Sequence, residues 1–225
     1  MKLLALETST DAGSIALWFE GEVLLRACPV GVSNSETLLP LISATMHEAG
    51  LAFSDLDGIS FGAGPGSFTG LRVACGVAQG LAFAQDLPLI PVGTLDAMAL
   101  ASGGERVIVL LDARMGEVYY GYFDGGVLLG QVGVCPPAAL PLPETDGWLA
   151  CGNGLVAYPG LLERLAACVS DWQPGLMPSA DAVARLAAPR LARGERVDPA
   201  DAAPLYVRDK VAQTVAERLA RGGKA

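Results

Sequence analysis

The feature that most restricts the fold of this chain is a pattern that runs once, stops at Ser102-Gly103-Gly104, and starts again. Leu3-Leu4-Ala5-Leu6-Glu7 and Val107-Ile108-Val109-Leu110-Leu111-Asp112 both read as apolar strands that end in a carboxylate. Farther on, Phe19-Glu20-Gly21-Glu22-Val23-Leu24-Leu25 is echoed by Phe123-Asp124-Gly125-Gly126-Val127-Leu128-Leu129. From Glu7 to Val23 and from Asp112 to Val127 the two copies differ in length by one residue. A third pair follows, in which a strand at 148–152 entering Asn153-Gly154 matches a strand at 59–64 entering Pro65-Gly66. Three matches in one order point to an internal duplication. The expected fold is therefore α/β, with two lobes at 1–103 and 104–225. Each lobe is a mixed sheet that carries an antiparallel meander, with helices on its faces. The terminal helix is free to pack back on the first lobe.

Within the first copy, strands are expected at 2–7, 14–19 and 21–28, joined by turns at Thr10-Asp11-Ala12-Gly13 and Glu20-Gly21. A helix at 35–49 places Leu38, Leu41, Ile42, Thr45, Met46 and Ala49 at helical spacing, and Gly50 closes it. A strand at 57–62 leads through a glycine-rich loop into a helix at 68–85. A strand at 88–92 and a helix at 95–101 complete the copy. The last third is rich in Ala, Leu and Arg. It reads as helices at 180–193 and 211–221, with a short strand at 205–207 between them and arginines on solvated faces.

Composition narrows the function classes. With 52% apolar and 17% charged residues among 225, the chain has ample material for a core. A net charge of −9 opposes autonomous binding to a phosphate backbone. Cysteines at 28, 75, 135, 151 and 168 include no C-x-x-C pair, which points to free thiols in a reducing cytosol. The apolar run after Lys2 is broken at Glu7, too early for a signal peptide. The longest charge-free helical stretch, 73–85, falls short of the ~20 residues a bilayer span needs. A soluble, cytoplasmic protein is expected. Its single histidine, His47, excludes any site that needs two imidazoles.

The sharpest local motif is Gly62-Ala63-Gly64-Pro65-Gly66-Ser67-Phe68-Thr69-Gly70-Leu71-Arg72. A loop of this kind at a helix N-terminus can cradle an anion. It is neither a Walker A loop nor a dinucleotide fingerprint, and it reads equally well as a tight turn with Ser67 as N-cap. In the following helix, small residues recur as Gly70, Ala74, Ala78, Ala82 and again as Gly76, Gly80, Ala84. Each interior glycine costs roughly 1 kcal/mol relative to alanine, so a close neighbour is expected, either within the chain or from another subunit.

Four segments carry a resemblance: Leu4-Ala5-Leu6-Glu7-Thr8-Ser9-Thr10, Ser35-Glu36-Thr37-Leu38-Leu39-Pro40, the stretch from Gly64 to Arg72, and Pro204-Leu205-Tyr206-Val207-Arg208. Together they resemble the bacterial TsaB (YeaZ) family over essentially the whole chain. The resemblance implies a duplicated two-lobe acetate-kinase/Hsp70/actin-like fold of ribonuclease-H-like type. It also implies a non-catalytic, cofactor-free scaffold role in forming N6-threonylcarbamoyladenosine at A37 of tRNAs that read ANN codons. The implied partners are the catalytic paralogue TsaD and the small ATPase TsaE.

In TsaD a strand is followed by Asn-His-x-x-x-His, whose histidines hold a metal; here Thr94 and Met98 occupy those two positions. A hydroxyl and a thioether are poor substitutes for imidazoles, so no metal site is expected. Asn34 stands where many relatives carry histidine, so no role transfers to it. A Ser-His-Asp triad would have to use His47, which reads as a helix-surface residue. Glu7, Thr8 and Asp112 mark a vestigial nucleotide cleft, although Glu-Thr-Ser-Thr departs from the Asp-x-Gly-x-Thr of working phosphotransferases. The resemblance implies pairing with TsaD through two helices as a four-helix bundle, with Leu38, Leu41, Ile42 and Thr45 on one and Gly70, Ala74 and Ala78 on the other. The same surface could form a homodimer when TsaD is absent. The competing expectation is an ATP-dependent small-molecule kinase that uses the interlobe cleft.

Overall fold

A computed structural model describes residues 1–19 and 21–208. The expected helix at 211–221 and Glu20 of the second turn lie outside the described residues. The first sheet runs β3-β2-β1-β4-β5 and comprises β1 (Lys2–Glu7), β2 (Ser14–Phe19), β3 (Glu22–Ala27), β4 (Gly58–Gly64) and β5 (Leu89–Gly93). The second comprises β6 (Arg106–Asp112), β7 (Val118–Asp124), β8 (Val127–Cys135), β9 (Trp148–Cys151) and β10 (Val169–Gln173), in the order β10-β9-β6-β7-β8. In each, three strands form an antiparallel meander and the other two add in parallel beside the first. The duplication read from the sequence is thus a strand-for-strand repeat, and the architecture is the two-lobe actin-like one.

The helices are α1 (Asn34–Glu48), α2 (Phe68–Gln85), α3 (Thr94–Ser102), α4 (Gly154–Ala157), α5 (Gly160–Leu165) and α6 (Ala180–Ala192). Caps set their ends. The Ser33 and Ser67 side chains accept the amides of Ser35 and Gly70, and Asp86 closes α2 in the left-handed region. The two copies are unequal. The link from β3 to β4 carries α1, whereas the link from β8 to β9 carries a single 3-10 turn, Pro137–Ala139. The 18-residue α2 between β4 and β5 is matched between β9 and β10 by helices of 4 and 6 residues.

Central strands β1 and β6 read as unbroken apolar runs because both of their faces are covered. Leu4 and Leu6 point to α1 and α2, where Leu38, Ile42, Met46, Ala74 and Ala78 join them with Phe61. Leu3 and Ala5 point the other way, to the alanine-rich face of α6. In the second lobe, Val107, Val109 and Phe123 pack on Leu95 and Met98 of α3, and Ile108 and Leu110 pack on Leu155, Leu161 and Leu165. α3, the last helix of the first copy, therefore covers the second sheet.

Although it follows the 103/104 boundary in sequence, α6 (residues 180–192) packs against the first sheet. Two expectations are corrected here. Residues 205–207 form no strand, because the Leu205 amide makes one lone bond, to the Ala63 carbonyl at 2.7 Å. Finally, Arg190 is not merely solvated: its guanidinium reaches back to the Pro91 carbonyl at 2.7 Å. No helix among the described residues is long and apolar enough to cross a membrane.

Candidate functional site

The C-terminal ends of β1 and β4 and the N-terminus of α2 meet at one point, and glycines make that meeting feasible. A Cβ on Gly62 would fall 2.0 Å from Glu7 Oε2, and one on Gly70 would fall 1.9 Å from the Thr8 carbonyl. Glu7 is fully buried; its Oε1 accepts the Ser9 amide at 2.5 Å, and Oε2 has no partner among the described residues. Burial, only partly offset by Ser9, raises its pKa above the ordinary carboxylate value. Thr8 is also fully buried and donates its hydroxyl to the Gly70 carbonyl at 2.8 Å. The glycine-rich loop is thus a tight strand-to-helix turn. The Ser67 amide, at the position where an open loop of this kind aims an N–H at an anion, is given to the Ser9 carbonyl at 2.7 Å.

Between the lobes lies a cavity of about 290 Å³, lined by Ser9, Asp11, Gly66, Asp112, Arg114 and Arg208 among others. Of the three residues expected to mark a nucleotide cleft, only Asp112 lines it. Glu7 and Thr8 are sealed beneath the strand ends. Asp112 is itself engaged. Its Oδ1 accepts from the Tyr158 hydroxyl at 2.8 Å and the Arg114 amide at 2.9 Å, and Oδ2 lies 3.4 Å from the Arg114 guanidinium. Burial, and next the bond to Asp112, raises the Tyr158 pKa. Arg114 also reaches Asp11 in the first lobe at 3.1 Å, and Arg208 pairs with Glu117. Both guanidiniums that line the cavity are therefore committed to carboxylates of this chain.

The sequence did not assign roles to Arg114, Tyr158 or Tyr206. Tyr206 and Arg208 fall within the Pro204-Leu205-Tyr206-Val207-Arg208 motif, which was the available signal. Tyr206 stacks against Phe68 at 5.7 Å, and its hydroxyl accepts from Arg72 Nε at 3.0 Å. The Arg72 guanidinium also lies 3.8 Å above the Phe68 ring.

Thr94 and Met98 are both fully buried on α3. Met98 belongs to the apolar cluster with Val107, Val109 and Phe123, and the Thr94 hydroxyl has no partner among the described residues. No group of three or more His, Cys, Asp or Glu side chains among the described residues is placed to hold a metal. His47 lies exposed in the last turn of α1.

The helix pair presents a different face from the one expected. Leu38, Ile42, Thr45, Gly70, Ala74 and Ala78 are all buried inside this chain, and Leu41 is half-buried. Those positions seal α1 and α2 against each other and against β4, so they form core and are not a free surface. The second small-residue stripe faces outward. Gly76 and Gly80 are exposed, and a Cβ on either would meet nothing within 4 Å. Beside them Phe83 is 82% exposed, and on α1 Leu39 is 51% exposed.

Comparison with known proteins completes the description. A family model described as "TsaD: tRNA N6-adenosine threonylcarbamoyltransferase" matches residues 32–132. The tRNA threonylcarbamoyladenosine biosynthesis protein TsaB of Escherichia coli (strain K12) is 34% identical, covering 94% of this chain and 96% of the relative. The Haemophilus influenzae protein of the same name is 33% identical, with 94% and 95% covered. Among solved structures, YeaZ from Pseudomonas aeruginosa superposes with a TM-score of 0.81 at 40% identity, covering 91% of this chain and 99% of that one. A second Pseudomonas aeruginosa structure, of an uncharacterized protein with similarity to peptidase YEAZ, gives 0.83 at 39% identity, with 92% and 99% covered.

Proposed function

Because this chain belongs to the TsaB (YeaZ) family, we propose that it is a cytoplasmic, non-catalytic subunit required for N6-threonylcarbamoyladenosine formation at A37 of tRNAs reading ANN codons. In this reading it pairs with the transferase TsaD, works alongside the ATPase TsaE, and leaves the holding of tRNA to its partners. The observation that carries the non-catalytic part is the burial of Thr94 and Met98. At the positions that correspond by resemblance to the transferase's two metal-binding histidines, this chain has two side chains packed into its own interior. The negative charge of the chain agrees with a subunit that does not grip RNA by itself.

The pairing surface is the outward face of α1 and α2, centred on Gly76, Gly80, Phe83 and Leu39. Exposed glycines inside an 18-residue helix are a standing cost that a closely approaching helix would repay. Ala78, in contrast, is fully buried, so a charged side chain there would test folding and not binding. A homodimer through the same outward face is the expected competitor in the absence of TsaD.

The kinase reading is weaker, because Arg114 and Arg208 are already paired in the cleft where a triphosphate would need them. A peptidase reading lacks a base, since the one histidine is exposed on α1 and has no hydrogen-bonded serine or carboxylate among the described residues. The deciding experiment reconstitutes tRNA modification from purified components with and without this chain, after co-purification with TsaD and TsaE. Modification that depends on the chain is expected; equal modification in its absence would overturn the proposal.

A further inference from the structure

We infer that residues 204–208 form an interlobe clasp, a length of this chain that seats in the cleft and holds the two lobes at one separation. The inference does not depend on the tRNA reading. After α6 the chain is pinned along the first lobe. Val197 exchanges two backbone bonds with Leu89, at 2.8 and 3.2 Å, and the Gln79 amide reaches the carbonyls of Pro199 and Ala202 at 2.8 and 3.0 Å. The Leu205 amide then bonds the Ala63 carbonyl at 2.7 Å. Gly64 leaves the room this requires, since a Cβ there would lie 2.7 Å from the Leu205 carbonyl oxygen. Tyr206 caps this anchorage on Phe68 and Arg72 of α2.

Arg208 crosses to the other lobe. Its guanidinium donates to the Ala113 carbonyl at 3.1 Å, pairs with the Glu117 carboxylate, and lies 3.6 Å from Met115 Sδ. All three residues belong to the turn between β6 and β7. A second ion pair across the cleft among the described residues, Arg114 with Asp11, joins side chains that are 75% and 92% exposed, where water and salt screen it. The Arg208 side chain is only 16% exposed. The clasp therefore has one jaw on the strand-to-helix turn of the first lobe and the other on the hairpin turn of the second, and the cleft cannot widen without releasing one of them. Because the first jaw grips the opening turn of α2, the clasp also fixes that helix relative to the second lobe.

The signature of a clasp is that damage to one jaw is felt at the other. Amide hydrogen exchange of the full chain reads this directly. Glu117→Gln alters only the second lobe, and Arg208→Ala removes the crossing side chain. Each is expected to raise exchange in residues 63–71 of the first lobe by about tenfold. Tyr206→Ala is expected to do the same for residues 113–117, with β1 and α6 unchanged in every variant. Increases confined to the lobe that carries the altered jaw, or no increase at all, would overturn the inference. If Tyr206→Ala fails to fold, Glu117→Gln still decides, because it changes a partly exposed side chain on the far side of the cleft from residues 63–71.

Discussion

The outward glycines of α2 allow folding and partner binding to be separated in one pair of substitutions. Gly76 and Gly80 lie in the interior of an 18-residue helix with ordinary backbone angles, and a methyl group at either meets nothing within 4 Å. Alanine at each removes the entropic penalty of a helical glycine, about 0.5–1 kcal/mol, so the double Gly76→Ala/Gly80→Ala variant should gain about 1–2 kcal/mol. For a chain of this size each kcal/mol moves the midpoint by about 2–4 °C, and scanning calorimetry should therefore show a rise of about 2–8 °C. If a partner helix packs on this stripe, the same two methyl groups overfill the contact at a cost of roughly 1–3 kcal/mol. That weakens association by roughly 5–150-fold, readable by titration calorimetry against TsaD. The variant should thus be more stable alone and worse at pairing. Higher stability with undiminished pairing would show that the partner meets another surface. Lower stability would show that the stripe is covered within this chain, and would refute the assignment of inner and outer faces.

Other outcomes follow from the same geometry. Gly70→Ala drives a methyl group into the Thr8 carbonyl and should cost about 1–3 kcal/mol or more, seen as a lower urea midpoint; an unchanged midpoint would mean that α2 is not seated on β1 as described. Glu7 has a raised pKa, so its contribution to stability is complete below the ordinary carboxylate value and is lost as pH rises through the folded value. The stability of the wild type minus that of Glu7→Gln should therefore fall between acid and neutral pH, and a pH-independent difference would contradict the burial argument. Burial pushes the Cys151 thiol up to about 12, so in the native protein the half-buried Cys135 should react with a thiol reagent well before Cys151. ATP with Mg²⁺ should give no binding heat with the isolated chain; a clear isotherm abolished by Asp112→Ala would revive the kinase reading.

Much of the fold was legible because its signals are local. β1, β2 and α2 begin and end where an apolar run meets a carboxylate, a turn cluster or a Ser67 cap. The repeat extended the first copy's mixed sheet and meander to the second, where strands at 107–112 and 148–152 could be read directly. α4 and α5 were not legible, since helices of 4 and 6 residues are too short for a period to show. Nor was β10, whose Val169-Ser170-Asp171-Trp172-Gln173 has too little apolar alternation to read as a strand. The site was harder still. Both small-residue stripes of α2 suit a close neighbour equally well, and only the position of α1 and the sheet decides that Ala74 and Ala78 face inward while Gly76 and Gly80 face outward. For the same reason Glu7 and Thr8 looked like cleft residues. Their strand end points at the cleft, but Gly62 and Gly70 let neighbouring backbone close over them.

The inequality of the two copies bears on the proposed assembly. A duplicated chain with the long helix pair on both lobes would present two equivalent faces, and each bound neighbour could recruit another, which is the recipe for an open-ended string. Among the described residues only the first lobe carries such a pair, α1 and α2, while the second has a 3-10 turn and two short helices in their place. If pairing runs through the α1–α2 face as proposed, one such face per chain would end contacts of this type after a single step and hold the stoichiometry through it at one to one.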